Sequence, residues 1–201
     1  VNSHYLLVMN REPSISVIDP AVGITGITNL FAQVNLKAPA ADWVKTQDQQ
    51  RVFVSMPQAG RVALVDTEVF KVTAEVDAGE VPTRVELQGD GRYLWVGNNA
   101  PQAKQSGVTV IDTAGPTRVT FIPTGLGHHE IAFSAGDRYA FVSNRDSGTV
   151  SVIEVATLTK VKDIATGPLP LALAVSPLSQ ALYVADGEAG TISVVDPEKL
   201  E

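Results

Sequence analysis

The sequence predicts an all-β fold built from repeated four-stranded antiparallel sheets, and three observations carry that prediction. A pattern of apolar runs closing on an acid recurs five times along the 201 residues. Within each repeat the apolar residues alternate with period two, the spacing of a half-buried strand, and no stretch has the 3.6-residue period of an amphipathic helix. Gly-Asp or Asp-Gly pairs stand between runs, as in AFSAGDRYAFVSN and ELQGDGRYLWVG, where a hairpin needs residues that tolerate left-handed backbone.

Taken in chain order, the runs are SISVID (14–19), RVALVD (61–66), GVTVID (107–112), TVSVIE (149–154) and TISVVD (191–196). Their final acids, Asp19, Asp66, Asp112, Glu154 and Asp196, lie 47, 46, 42 and 42 residues apart. Each run follows a second strand-like segment: YLLVMN, VFVSMP, YLWVGNN, YAFVSN and LYVAD. From the acid to the next Gly is 13 residues for Asp66 to Gly79, Asp112 to Gly125 and Glu154 to Gly167. From that Gly to the central Val of the following run (Val96, Val142, Val184) is 17. The longer repeat carries four extra residues within NNAPQAKQS (98–106). In the repeat at 128–166 the strands A to D are HEIAFS, RYAFVSN, TVSVIE and KVKDIAT.

Four antiparallel strands every 42 residues or so make the blade of a β-propeller. A sandwich explains the strand spacing but not the supersecondary repeat. The chain thus reads as a single propeller domain over 1–201, with about 4.5 to 5 blades: 1–37 (partial), 38–79, 80–125, 126–167 and 168–201 (partial). It begins at strand B of one blade and stops after strand C of the fifth, so the ends do not complement one another. That predicts a piece of a ring of about seven blades, with further blades or a partner chain needed for closure. The alternative is a five-bladed ring with two three-stranded blades.

The stretch FVSNRDSGTVSVIEVATLTKVKDIATGPLPLALAVSP closely resembles the YVTN family of propeller repeats, with its Tyr-Val-Thr-Asn-like run, its Gly-Thr-Val-Ser-Val-Ile-Asp run and its Gly-x-x-Pro. The likeness spans nearly the whole chain and is weakest over 20–50. It implies a non-catalytic scaffold that binds a protein or small ligand, exported to a periplasm or the cell surface. The fold hosts unrelated functions, so the chemistry must come from a site.

Antiparallel order defines two rims. The D-to-A and B-to-C connections emerge on the first, and the A-to-B and C-to-D connections on the second. By analogy with other propellers, the ligand belongs on the first, where the A strands begin. The five closing acids belong to the second rim, and the turns they start explain them as turn caps. A cation ring is the alternative.

On the first rim, three residues past the repeat Gly, two blades carry Pro82 and Pro170, but a third carries His128. Gly127-His128-His129-Glu130 thus places two of the three histidines and a carboxylate where other blades have Thr83-Arg84 or Leu171-Ala172. Strand alternation sends His129 to the face of Ile131 and Phe133, and His128 with Glu130 to that of Ala132. The two imidazoles point apart and cannot easily chelate one metal alone, though either can supply one ligand. Arg84 and Glu130 are equivalent positions in adjacent blades, so they either pair as a rim salt bridge or face a ligand. Trp43, at the start of the first clear A strand, reads as packing between blades.

HHEIAFSAGDRYAFVSN also resembles the haem-binding propeller of periplasmic nitrite reductases, in which a His stands thirteen residues before the strand-B Val, as His129 does before Val142. That resemblance implies haem or a metal ion as cofactor, His129 as the axial iron or metal ligand, and His128 or Arg84 as rim partners. Thr83 and Leu171 occupy the matching place in neighbouring blades, so no second His comes from them.

Composition narrows the classes further. Lys plus Arg is 15 against 22 for Asp plus Glu, a net charge of −7 with no basic patch, which disfavours nucleic acid. Cys is absent, removing disulfides, thiolate metal sites and Cys nucleophiles. No apolar run approaches a membrane span. There is no Gly-x-Ser-x-Gly, HExxH, P-loop or dinucleotide motif, so the chain reads as a binding protein rather than an enzyme.

Overall fold

Alternating apolar and small polar residues build eighteen strands in the computed structural model, which describes residues 4–21, 29–102 and 105–201. The first sheet holds β1 (Leu6–Met9), β2 (Ser14–Ile18) and β3 (Leu30–Asn35). The second holds β4 (Asp42–Lys45), β5 (Arg51–Met56), β6 (Arg61–Asp66) and β7 (Lys71–Asp77). The third holds β8 (Pro82–Leu87), β9 (Tyr93–Asn98), β10 (Gly107–Asp112) and β11 (Thr117–Pro123). The fourth holds β12 (Ile131–Phe133), β13 (Tyr139–Asn144), β14 (Thr149–Glu154) and β15 (Thr159–Ala165). The fifth holds β16 (Pro170–Val175), β17 (Leu182–Asp186) and β18 (Thr191–Val195).

Every pairing is antiparallel between strands consecutive in the chain. This is the meander of propeller blades; among the described residues the first and last sheets have three strands each. No helix among the described residues is long and apolar enough to cross a membrane.

The core is a stack of sheet-to-sheet interfaces, because each strand sends alternate side chains to its two faces. Phe53, Val62 and Leu64 of the second sheet meet Val85, Leu94, Val96 and Ile111 of the third. Trp95, Val108 and Val110 meet Ile131, Ala140, Val142 and Ile153 of the fourth. Phe141, Val150 and Val152 meet Leu182, Val184 and Val195 of the fifth. Trp43 packs, half buried, against the cluster between the first and second sheets, as a residue between blades.

The inter-strand register repeats as well: Phe53 faces Leu64, Trp95 faces Val110, Phe141 faces Val152 and Tyr183 faces Val194. On the second rim, the Oδ1 atoms of Asp19, Asp66, Asp112 and Asp196 accept backbone N–H groups two residues on, at 2.8–2.9 Å. The acids are turn caps, as their Asp-Thr and Asp-Pro contexts suggest. Hydrogen bonds to the N–H groups of Glu198 and Lys199 hold the Asp196 carboxyl below its ordinary pKa.

One strand is shorter than the sequence pattern predicts. The segment HEIAFS was expected to start β12 at its His, yet the strand covers only Ile131–Phe133. The bonds Arg145 N–H to His128 O and Ser143 N–H to Glu130 O skip His129. The third and fifth sheets break register at the matching place, between Pro82 and Arg84 and between Pro170 and Ala172. A break in register at this position is therefore a feature of the repeat.

Candidate functional site

As strand alternation expects, the His129 side chain lies on the face of Ile131 and Phe133, in the seam between the third and fourth sheets, and is fully buried. Its Nδ1 lies 2.8 Å from the Ser143 carbonyl oxygen and its Nε2 lies 2.9 Å from Ser106 Oγ. A carbonyl can only accept, so Nδ1 carries the proton and Nε2 accepts from the Ser106 hydroxyl. Burial pushes the imidazole pKa below 6.5, the bond to Ser143 opposes that, and nearby His128 adds to it. The ring is a neutral, fully bonded core group. As placed, it does not fit an axial iron or metal ligand, since neither ring nitrogen is available. Ser106 ends the loop 98–106, of which residues 103–104, Lys104 included, lie outside the described part.

His128 turns the other way, as strand alternation requires. Its Nε2 lies 3.3 Å from Glu130 Oε1, and Glu130 Oε2 lies 3.0 Å from Arg84 Nε. Arg84 Nη1 in turn lies 3.4 Å from Asp42 Oδ2. The same Asp42 oxygen accepts the Val85 N–H at 3.0 Å, and the Asp42 N–H donates to Ser55 Oγ at 3.1 Å. A chain of contacts Asp42–Arg84–Glu130–His128 therefore links β4 and β8 to the residues just before β12, across three consecutive sheets.

Glu86 stands two residues after Arg84 on β8 and completes the cluster. Its burial raises the carboxyl above the ordinary range; Arg84 opposes that, while the charges of Asp42 and Glu130 reinforce it. Three carboxylates thus surround one guanidinium, and the first rim is acidic where the A strands begin. The sequence pointed to Arg84, His128, His129 and Glu130. The structure brings Arg84, Glu130 and His128 together and sends His129 elsewhere. Asp42 was legible only as the start of a strand, and Glu86 carried no signal, because its partners lie on other repeats.

Strand-B asparagines fix the backbone of this rim. Asn98 Nδ2 donates to the carbonyls of Ala78 and Glu80 at 2.6 and 2.8 Å, and its Oδ1 accepts from Thr109 Oγ1 at 2.8 Å. Asn144 Oδ1 accepts the Gly125 N–H at 2.8 Å. These are the Asn residues closing YLWVGN and YAFVSN, so the repeat's own Asn clamps these two D-to-A connections. Gly127 has φ +101°, and a Cβ there would stand 2.5 Å from the Asp146 nitrogen, so only glycine suits the turn leading to His128.

Two clefts open on the opposite rim. One of about 610 Å³ lies between the fourth and fifth sheets, beside Arg138, Tyr139, Gln180, Asp196 and Glu198. A second of about 430 Å³ lies between the third and fourth, beside Asp90, Arg92, Tyr93 and Asp137. Neither is lined by Arg84, His128, His129 or Glu130. Among the described residues, no group of three or more His, Asp or Glu side chains is arranged to hold a metal ion.

No family model matches the chain, and no curated protein matches it. More than a thousand solved chains share its fold. One is hydrazine synthase of Kuenenia stuttgartiensis, similar with a TM-score of 0.73 at 15% identity over 96% of this chain. The chain spans 63% of the length of that protein's chain. Likeness at that identity is likeness of fold, which so many chains share that it selects no chemistry.

Proposed function

We propose that this chain is a non-catalytic binding propeller of the YVTN repeat kind, working in the cell envelope, and that its ligand seats on the first rim over Asp42, Arg84, Glu86, His128 and Glu130. The observation that carries the reading is the convergence of charged side chains from β4, β8 and the entry to β12, centred on Arg84 between Asp42 and Glu130. Carboxylates outnumber cations there and the chain carries −7 overall, so electrostatic complementarity favours a basic protein or peptide segment. The envelope location rests on the repeat resemblance.

The test is fluorescence anisotropy with a labelled Lys-rich peptide. The expected result is salt-sensitive binding that weakens in the Asp42→Asn/Glu130→Gln double variant and is unchanged in Asp66→Asn on the opposite rim. Absence of binding, or equal loss in both variants, overturns the reading. The alternative, a haem- or metal-binding redox propeller with His129 as axial ligand, requires the Ser106 bond to open. A Soret band in protein from its native host, lost in His129→Ala, would establish it.

A further inference from the structure

The carboxylates around Arg84 form a cradle of definite shape. Glu130 Oε2 approaches Nε at 3.0 Å and Asp42 Oδ2 approaches Nη1 at 3.4 Å. Two acids, one from the second sheet and one from the entry to the fourth, thus address neighbouring nitrogens of a single planar fork. The Glu86 carboxyl feels the charges of Arg84, Asp42 and Glu130 and adds a third acid. Such an arrangement suits a guanidinium better than an ammonium, because the fork offers several donors in one plane while an ammonium is a single point of charge.

The cradle is fixed while its occupant is loosely held. The Asp42 N–H donates to Ser55 Oγ at 3.1 Å, and Asp42 Oδ2 accepts the Val85 N–H at 3.0 Å. The Glu130 N–H donates to Ser143 Oγ at 2.9 Å, and the Glu130 carbonyl accepts the Ser143 N–H at 3.0 Å. Arg84 has no comparable anchor. Its Nε is buried, yet it makes no aligned hydrogen bond with Glu130. The Nη1 contact is longer than the roughly 2.7–2.9 Å of a charge-assisted hydrogen bond. The side chain is 35% exposed, so solvent screens both pairs and keeps each weak.

We propose that Arg84 is a tethered occupant of the ligand's own cation site, and that the partner presents an arginine side chain which takes its place between Asp42, Glu86 and Glu130. This rests on the reading of the rim as the seat of a basic segment and narrows that segment to one carrying arginine. The exchange is of like for like: Arg84 moves out to solvent on its flexible stem and the incoming guanidinium meets the same three acids. Arg84 thereby lowers the affinity for every cation and selects the one that reproduces its fork.

Fluorescence anisotropy with two labelled peptides of equal length and charge, one Arg-rich and one Lys-rich, tests the proposal. The wild-type protein is expected to bind the Arg-rich peptide more tightly. Arg84→Ala removes the competitor and is expected to bind that peptide roughly fivefold tighter still. Arg92→Ala, which removes the same charge from the opposite rim, is expected to leave binding unchanged. The gain is expected to vanish when Arg84→Ala is combined with Asp42→Asn and Glu130→Gln. Without any peptide, millimolar methylguanidinium is expected to raise the thermal midpoint of Arg84→Ala, and methylammonium at the same ionic strength to raise it less. Binding by Arg84→Ala that is no tighter than wild type, with Asp42 and Glu130 still required, overturns this proposal and leaves the rim reading standing. So does an equal gain in Arg92→Ala, a Lys-rich peptide that binds as well as the Arg-rich one, or a methylguanidinium effect no larger than that of methylammonium. Failure of wild type and Arg84→Ala to bind either peptide overturns the rim reading and this proposal together.

Discussion

His129 Nε2 lies 2.9 Å from the hydroxyl of Ser106, a residue 23 positions earlier and on the neighbouring sheet. This bond crosses the seam between two blades and makes the imidazole part of the core. It also sets a pH dependence with a definite sign. The folded-state pKa lies below 6.5, so the unfolded chain takes up the proton first as the pH falls. The neutral ring costs nothing above that value; below it, stability falls, by up to about 1.4 kcal/mol per pH unit, until the folded-state pKa is passed. Urea unfolding from pH 7.5 to 5 is expected to show this slope, flattened in His129→Gln. An equal slope in the two proteins would remove His129 as its origin.

Glu86 works in the opposite direction. Its pKa is raised on folding, so no penalty exists below about 4.5, and stability is lost as the pH rises from there through the folded-state value. Glu86→Gln is therefore expected to raise the thermal midpoint at pH 7 and leave it unchanged at pH 4. Calorimetry at the two pH values checks this, and a lower midpoint at pH 7 would mean that the carboxylate is needed by Arg84.

The Arg84–Glu130 contact is half exposed, so it is expected to position the rim more than to hold the fold. A double-mutant cycle with Arg84→Ala and Glu130→Ala is expected to give a coupling of about 0.2–1 kcal/mol that shrinks in high salt. The measurement is chemical denaturation in low and high salt. A coupling of several kcal/mol would make the pair a structural element instead.

Phe141 and Tyr183 occupy one register position in successive blades, but only Phe141 has a sheet packed over it. Phe141→Ala is expected to cost about 3–5 kcal/mol, as for a buried aromatic. Tyr183→Ala is expected to cost far less, within about 1 kcal/mol. Denaturation midpoints of the two variants, measured side by side, decide it.

How much of this was legible beforehand follows from the range of each interaction. Period two, the spacing of acid, Gly and Val, and the Asp-Gly turns are local signals. They were enough to place the B, C and D strands, the incomplete sheets at the two ends and the capping role of Asp66, Asp112 and Asp196. The same pattern set the register of Phe53, Trp95, Phe141 and Tyr183, because a strand alternates faces whatever lies beyond it. Contacts between sheets carry no such signature. Asp42 reaches the Val85 N–H across 43 residues, and the Glu86 carboxyl is raised first by its burial and then by the charges of Asp42 and Glu130 on two other repeats. Strand alternation put His129 on the face of Ile131 and Phe133, but that this face meets Ser106 depends on the packing of the neighbouring blade. Which partner the buried histidine meets, and which charges gather around Arg84, were therefore decided only when the sheets packed against one another.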